Sequence, residues 1–337
     1  MTTPPLLRVD GLVVGTRDAD GREVRLVDGV DFTVQEGEVL CLVGESGSGK
    51  SLTMSAVLGL LPPGVEVLAG RVEYRGRDLL AMPTRELRAL RGNELAMVFQ
   101  DPMTALNPVK RVGAQVGRAV RLHGGRMSGD DVERRVIELL ESVGVPDPGE
   151  RARAYPHQWS GGMRQRAVIA MAIAHDPTLL VADEPTTALD VTIQAQIMGL
   201  LADARARTGA AMVLITHDLG LVAQTADQIC IMYAGRIVER GSVWDVFDRP
   251  RHPYTAGLLG SLLSADRTSG RAYAIPGSPP PASARPAGCP FAPRCELAAK
   301  SDACVAERPR LRLVGAGHES ACHHADAVGA FVEAVAS

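Results

Sequence analysis

The stretch Gly44-Glu45-Ser46-Gly47-Ser48-Gly49-Lys50-Ser51 follows directly on a short apolar run, Val39-Leu40-Cys41-Leu42-Val43. A glycine, four residues and then Gly-Lys-Ser is the P-loop pattern. Each residue type in it has a physical reason. Glycines let backbone N–H groups turn inward and approach phosphate oxygens without a Cβ in the way. A helix beginning near Lys50 directs the positive end of its dipole at the same anion. Lys50 can then reach the β- and γ-phosphates, and the Ser51 hydroxyl suits Mg²⁺. Glycine loops of this kind also arise by chance, so the loop needs companions elsewhere in the chain.

Outward from the loop, continuous apolar runs recur at 95–99, 179–182, 212–215 and 229–233. They do not alternate, which predicts strands buried on both faces of a mostly parallel sheet. Helical patterns lie between them, so an α/β fold is expected. The clearest helix is predicted over 130–143, with Ser128 and Asp131 at capping-box spacing and Val132, Val136, Leu139, Leu140 and Val143 on one face. No strand signal appears from about 101 to 165, which reads as a helical insertion. Gly235 reads as the turn of a hairpin. The segment 275–288, rich in proline, reads as a linker without helix or strand.

With 337 residues the chain can form one large domain plus an appendage. Hydrophobic residues make up 46% and aromatics 4%, so aliphatic side chains must fill the core. A net charge of −3 argues against a nucleic-acid binder that works by broad phosphate neutralisation. The opening MTTPPLLRVDG has no basic segment followed by an apolar stretch, so no signal peptide is expected. The longest apolar run, near 167–174, is too short to span a bilayer. A soluble protein, able to dock onto a membrane protein, is therefore expected.

The run Leu179-Leu180-Val181-Ala182 ends in Asp183 and Glu184. Asp183 suits a water-bridged Mg²⁺ contact, and Glu184 suits polarising a water that attacks the γ-phosphate. Two exposed acids at a strand end are the ordinary alternative. Further back stands Trp159-Ser160-Gly161-Gly162-Met163-Arg164-Gln165-Arg166. Ser160 has the place of a helix N-cap, and the glycines after it permit close backbone approach to an anion.

With these three elements in this order, the chain resembles the ATPase subunit of an ABC transporter. That resemblance implies a P-loop (RecA-like) α/β core with an antiparallel β subdomain and the helical insertion. It also implies that Ser160, Gly161 and Gly162 contact the ATP held by an opposite subunit, so that the sites exist only in a dimer. Gln100, after Met97-Val98-Phe99, resembles the glutamine that touches Mg²⁺ and the attacking water. Ala188-Leu189-Asp190 resembles the D-loop that crosses the dimer interface. His217, before Asp218, resembles the switch histidine of the γ-phosphate. One departure is visible: where the family usually stacks an aromatic residue on adenine, Thr16 stands here, and no Phe, Tyr or Trp precedes Phe32. Stacking is then left to an aliphatic or arginine side chain.

The tail narrows the resemblance. His252-Pro253-Tyr254-Thr255, Leu258-Leu259, Ile275-Pro276-Gly277 and Gly288-Cys289-Pro290-Phe291-Ala292-Pro293-Arg294-Cys295 succeed one another as in ATPases of dipeptide, oligopeptide and nickel importers. DPMTALNP after Gln100 is similar to that subfamily too. This implies a domain at 1–249 and an importer-type extension at 250–337. It further implies a second ATPase subunit forming a heterodimer, two membrane-spanning permeases and an extracytoplasmic binding protein, with the chain on the cytoplasmic face of the membrane.

Cys289, Cys295, Cys304 and Cys322 crowd into the tail, with five, eight and seventeen residues between them. Structural zinc ligands usually come in pairs two to four residues apart, and no such pair exists here. Four thiolates without that pairing are compatible with a [4Fe–4S] cluster, which some members of the subfamily carry at this position. Zinc, or thiols that merely pack, remain the alternatives, with His318, His323 or His324 close enough in sequence to replace one ligand. A metal site would staple a tail expected to be too small to hold a core of its own. Cys41 and Cys230 fall in apolar runs and read as buried thiols.

Overall fold

A computed structural model describes residues 4–187, 189–263 and 273–336. Ala188 of the D-loop lies outside the described residues. The chain divides into two compact units, one mainly Ala81–Ile215, the other built from Leu7–Thr33, Val39–Leu80 and Thr216–Ser337.

The first unit holds three parallel strands, Leu95–Val98, Leu179–Asp183 and Ala211–Thr216, with the second strand in the middle. Leu95 pairs with Leu179, and Leu179 with Ala211, so the strand ends are in step. Every residue of Leu179–Asp183 and Ala211–Thr216 is buried, as continuous apolar runs require when both faces are covered. Between Val98 and Leu179 the described elements are all helical, the longest being Val112–His123, Gly129–Ser142 and Gly161–Ala172. Gly129–Ser142 begins as its capping pattern predicts: Ser128 Oγ accepts the Asp131 N–H at 3.1 Å, while Val132, Val136, Leu139 and Leu140 are buried.

The second unit contains an antiparallel sheet that the apolar-run reading did not find. Its strands lie in the order Glu23–Val34, Leu7–Arg17, Glu66–Tyr74 and Arg77–Asp78. Charged residues interrupt these strands, so they carry no continuous apolar signal. In the same unit Val39–Val43 runs parallel to Gln228–Tyr233, which turns at Ala234-Gly235 into the antiparallel strand Arg236–Ser242. Both turn residues have positive φ, the geometry that suits a two-residue hairpin. Arg236–Ser242 then pairs with Glu319–Ser320, and that strand with Arg312–Leu313. The tail thus contributes two short strands to this unit. It also has a small core, in which Ala256, Leu297 and Val328 are buried with Phe331 and Val332 packed against them. This corrects the expectation of a tail without one: Ala256 of the helix Pro253–Leu263 and Val328, Phe331 and Val332 of the helix Val328–Ala336 lie outside the proline-rich segment. That segment holds only a 3-10 turn at Ala282–Ala284.

Candidate active site

In the second unit, the P-loop joins the buried strand Val39–Val43 to the helix Lys50–Val57. Gly44 has φ 155°, and a Cβ there would sit 2.1 Å from the Met232 carbonyl oxygen, so only glycine can leave the strand this way. The Lys50 ammonium is folded back into the loop and buried. It donates to the carbonyls of Gly44 (2.7 Å) and Glu45 (3.0 Å) and to Ser48 Oγ (3.4 Å). A buried cation that donates to carbonyl and hydroxyl oxygens of the loop is suited to exchange them for phosphate oxygens, which bind it far more strongly. His217 is exposed and immediately follows the strand Ala211–Thr216. Its neighbour Asp218 caps the helix Leu219–Thr225, accepting from the Gly220 N–H (2.8 Å) and the Leu221 N–H (3.2 Å).

In the first unit, Asp183 is the last residue of its strand and is 5% exposed. Glu184, next along, has φ 44°, a left-handed backbone rare outside glycine. Holding such a conformation costs on the order of 1–3 kcal/mol, and it clusters at functional sites. The Glu184 N–H is tied to the Ile215 carbonyl at 2.9 Å. Its carboxylate accepts from Gln100 Nε2 at 2.9 Å and Thr187 Oγ1 at 2.8 Å. Gln100 and Glu184, 84 residues apart in sequence, are therefore brought together. Gln100 stands two residues beyond its strand, which ends at Val98, rather than on the strand itself.

The same unit holds Ser160, Gly161, Gly162 and Asp190. Ser160 caps Gly161–Ala172, accepting the Met163 N–H at 3.3 Å, and Asp190 caps Val191–Thr208, accepting the Ile193 N–H at 3.0 Å. Gly162 faces Ile193: an added Cβ would lie 2.8 Å from its Cγ2, so the two helix starts need a glycine at this contact. Ser160, Gly161 and Asp190 are exposed, as is Val191 (83%). Thr16, at the adenine place, uses its hydroxyl on the Gly64 carbonyl at 2.8 Å.

None of the six cysteines is in a disulfide. Cys289, Cys295, Cys304 and Cys322 line one small cavity, together with Phe291, Leu297, His323 and His324 among others. Burial pushes the thiols of Cys289 and Cys295 up, and that of Cys322 to about 12, with the neighbouring cysteines adding to the effect. Among the described residues, no three His, Cys, Asp or Glu side chains are placed to hold a single metal ion. His318 is not in the cavity. It is buried against Glu239, with Nε2 2.7 Å from Oε1, which removes it as a substitute ligand. His323 Nε2 lies 3.0 Å from the Glu307 carbonyl, and His324 Nε2 lies 2.8 Å from Ser301 Oγ.

Sequence reading missed Arg294 and Tyr254. Arg294 makes a two-pronged ion pair with Glu45 of the P-loop, at 2.8 and 3.0 Å. Tyr254 accepts the Glu45 N–H at 2.8 Å. Neither has a local signal, because each partner is more than 200 residues away in sequence.

Residues 27–187 match the family model described as ABC transporter, and residues 238–304 match that of the oligopeptide/dipeptide transporter C-terminal region. The chain is 50% identical over 276 residues to the Bacillus subtilis (strain 168) dipeptide transport ATP-binding protein DppD, covering 82% of each. It is 48% identical over 320 residues to the protein of that name in Escherichia coli (strain K12), covering 95% of this chain and 96% of the relative. Among solved structures it is similar to a dimeric ATP-binding cassette in a post-hydrolysis state with ADP and Pi. There the TM-score is 0.63 and the identity 26%, over 70% of this chain and 98% of that one.

Proposed function

Because this chain belongs to the ATP-binding subunits of ABC transporters, with the oligopeptide/dipeptide type of C-terminal region, we propose that it hydrolyses ATP to drive import of dipeptides or oligopeptides. The loop from Gly44 to Ser51 binds the ATP phosphates through its backbone N–H groups and Lys50. Ser51, Gln100 and Asp183 would hold Mg²⁺, which supplies charge neutralisation of the phosphates. Glu184 polarises the attacking water, and His217 contacts the γ-phosphate. Ser160, Gly161, Gly162 and Asp190 serve the ATP of an opposite subunit.

Glu184 carries this reading. A carboxylate in a rare backbone conformation, oriented by Gln100 and Thr187, is arranged for more than solubility. Glu184→Gln should leave ATP binding intact and lower hydrolysis by roughly two to four orders of magnitude, the range for losing a general base. Near-normal turnover of the assembled transporter would move the role elsewhere.

The exposed Ser160, Gly161, Asp190 and Val191 support docking of a second ATPase subunit, read here as a related chain in a heterodimer. Two permeases and an extracytoplasmic binding protein complete the system, with this chain on the cytoplasmic face. Among the described residues no helix is long and apolar enough to cross a membrane, so the permeases must supply the path. Nickel is the alternative cargo. Co-purification with the permeases, followed by transport assays with peptides and with nickel, decides between them.

Cys289, Cys295, Cys304 and Cys322 would hold a [4Fe–4S] cluster that fastens the tail. The convergence of four thiols on one cavity supports this reading. Protein purified without oxygen should be brown and contain about four irons per chain. Replacing any of the four by Ser should bleach it, while Cys41→Ser and Cys230→Ser should not. One zinc per chain and no iron would assign a structural zinc site instead.

A further inference from the structure

The second residue of the P-loop is a glutamate, in a loop whose ligand is a polyanion. An unmatched carboxylate there would repel the phosphates it sits beside. Glu45 is held at both its backbone and its side chain. Its N–H donates to Tyr254 Oη at 2.8 Å, and its carboxylate receives Arg294 in a fork at 2.8 and 3.0 Å. The geometry is that of the strong bidentate pair. Arg294 is itself fixed: Nε donates to the Pro276 carbonyl at 2.7 Å, and the guanidinium lies 5.7 and 5.9 Å from the ring centres of Tyr233 and Phe291. Its side chain is 6% exposed, against 26% for Glu45. Burial works against its charge, but the hydrogen bonds with Glu45 and Tyr233 outweigh that and hold its pKa above the usual arginine value. Arg294 ends the turn Ala292–Arg294, between Cys289 and Cys295 of the cysteine cavity.

We propose that Arg294 is a positioning residue of the nucleotide site: by neutralising Glu45 and pinning the loop's second residue, the cysteine-bearing tail sets the ATP affinity of the P-loop. The inference rests on the nucleotide reading of that loop. It makes the two charges act with opposite signs on ATP binding. Removing Arg294 exposes a carboxylate to the phosphates. Removing the Glu45 charge leaves a guanidinium beside them.

The test is calorimetric titration of the full-length chain and its variants with Mg·AMP-PNP. Arg294→Met should weaken binding roughly tenfold, the scale of one coupling between neighbouring charged groups. Glu45→Gln should tighten it roughly threefold, and the double variant should return to within about threefold of the parent chain. High salt should shrink the Arg294→Met effect. Parent-like affinity in Arg294→Met overturns the proposal. So does a double variant as weak as Arg294→Met alone, which would make Arg294 a packing residue. Should Arg294→Met fail to fold, the sign of the Glu45→Gln change decides alone, and unchanged or weaker binding rejects the idea. Lys50→Ala is the control: if it too leaves affinity unchanged, the nucleotide reading of the loop has failed rather than the tether.

Discussion

The strand Leu179–Asp183 is buried at every position and hydrogen-bonded in parallel register on both sides. The tail beyond residue 289 has two-residue strands, short helical turns and one longer helix, Val328–Ala336, and much of the order of its strands and turns comes from charged and polar side chains. His318 meets Glu239, Arg308 meets Asp28 at 2.8 Å, Arg240 meets Glu319 at 2.6 Å, and Arg294 meets Glu45. In the first region apolar burial fixes the backbone, and the catalytic candidates stand at its edge. In the second the polar pairs themselves fix the chain. A pair of that kind contributes through the cost of breaking it, since a partner left buried and alone is more unfavourable than the pair was favourable.

If this contrast is real, the largest loss of stability from a single polar change should come from the tail anchors. Glu239 is fully buried and accepts from the Arg251 N–H at 2.6 Å, besides meeting His318. Glu239→Ala should therefore cost about 3 kcal/mol in urea unfolding, while Lys50 and Glu184 keep their environments. A cost below about 1 kcal/mol would mean that the tail is held mainly by its small apolar core.

Over the window from pH 6 to 4, a middle-sized effect is expected from His252, which is buried where the tail begins. Burial lowers its pKa from 6.5 to about 3, and Nδ1 accepts the Tyr254 N–H at 3.1 Å, so the ring is neutral. The unfolded chain takes up a proton near pH 6.5 that the folded chain refuses. Stability from this group is thus complete above pH 6.5 and falls as the pH drops toward 3, by up to about 1.4 kcal/mol per pH unit. His252→Asn keeps an acceptor and should flatten that slope between pH 6 and 4, measured by thermal melts. An unchanged slope would assign the acid sensitivity to other groups.

The smallest change should come from the edge of the other region. Ser160→Ala removes one helix cap on an exposed turn, and should cost about 1 kcal/mol or less in stability. Its effect on ATP hydrolysis in the assembled transporter should exceed what that loss explains. Equal, small effects on both would reduce Ser160 to a cap.

The same contrast explains what could be read beforehand. Strands predicted at 95–99, 179–182, 212–215 and 229–233 stand within a residue or two of those observed, because burial on both faces leaves a continuous apolar run. The helix at Gly129–Ser142 was visible from its cap and one apolar face. The antiparallel sheet was expected from the resemblance, and a strand pattern near Leu7–Arg17 was visible, but Glu66–Tyr74 carries no continuous apolar run because charges interrupt it. Closeness in sequence makes His318 a possible ligand, but its side chain meets Glu239, 79 residues earlier.

By itself the sequence determined the P-loop, the strand ends bearing Asp183 and Glu184, the helix cap at Ser160, and a tail with four cysteines. These follow from local chemistry, in which a few neighbouring residues decide a turn, a cap or a buried strand. Only the tertiary structure decided that Gln100 meets Glu184, that the four cysteines share one cavity, and that Arg294 grips Glu45. Those pairings depend on which distant segments are brought together when the apolar runs are buried. The carboxylate and the guanidinium carry no mark of each other until folding removes the water between them.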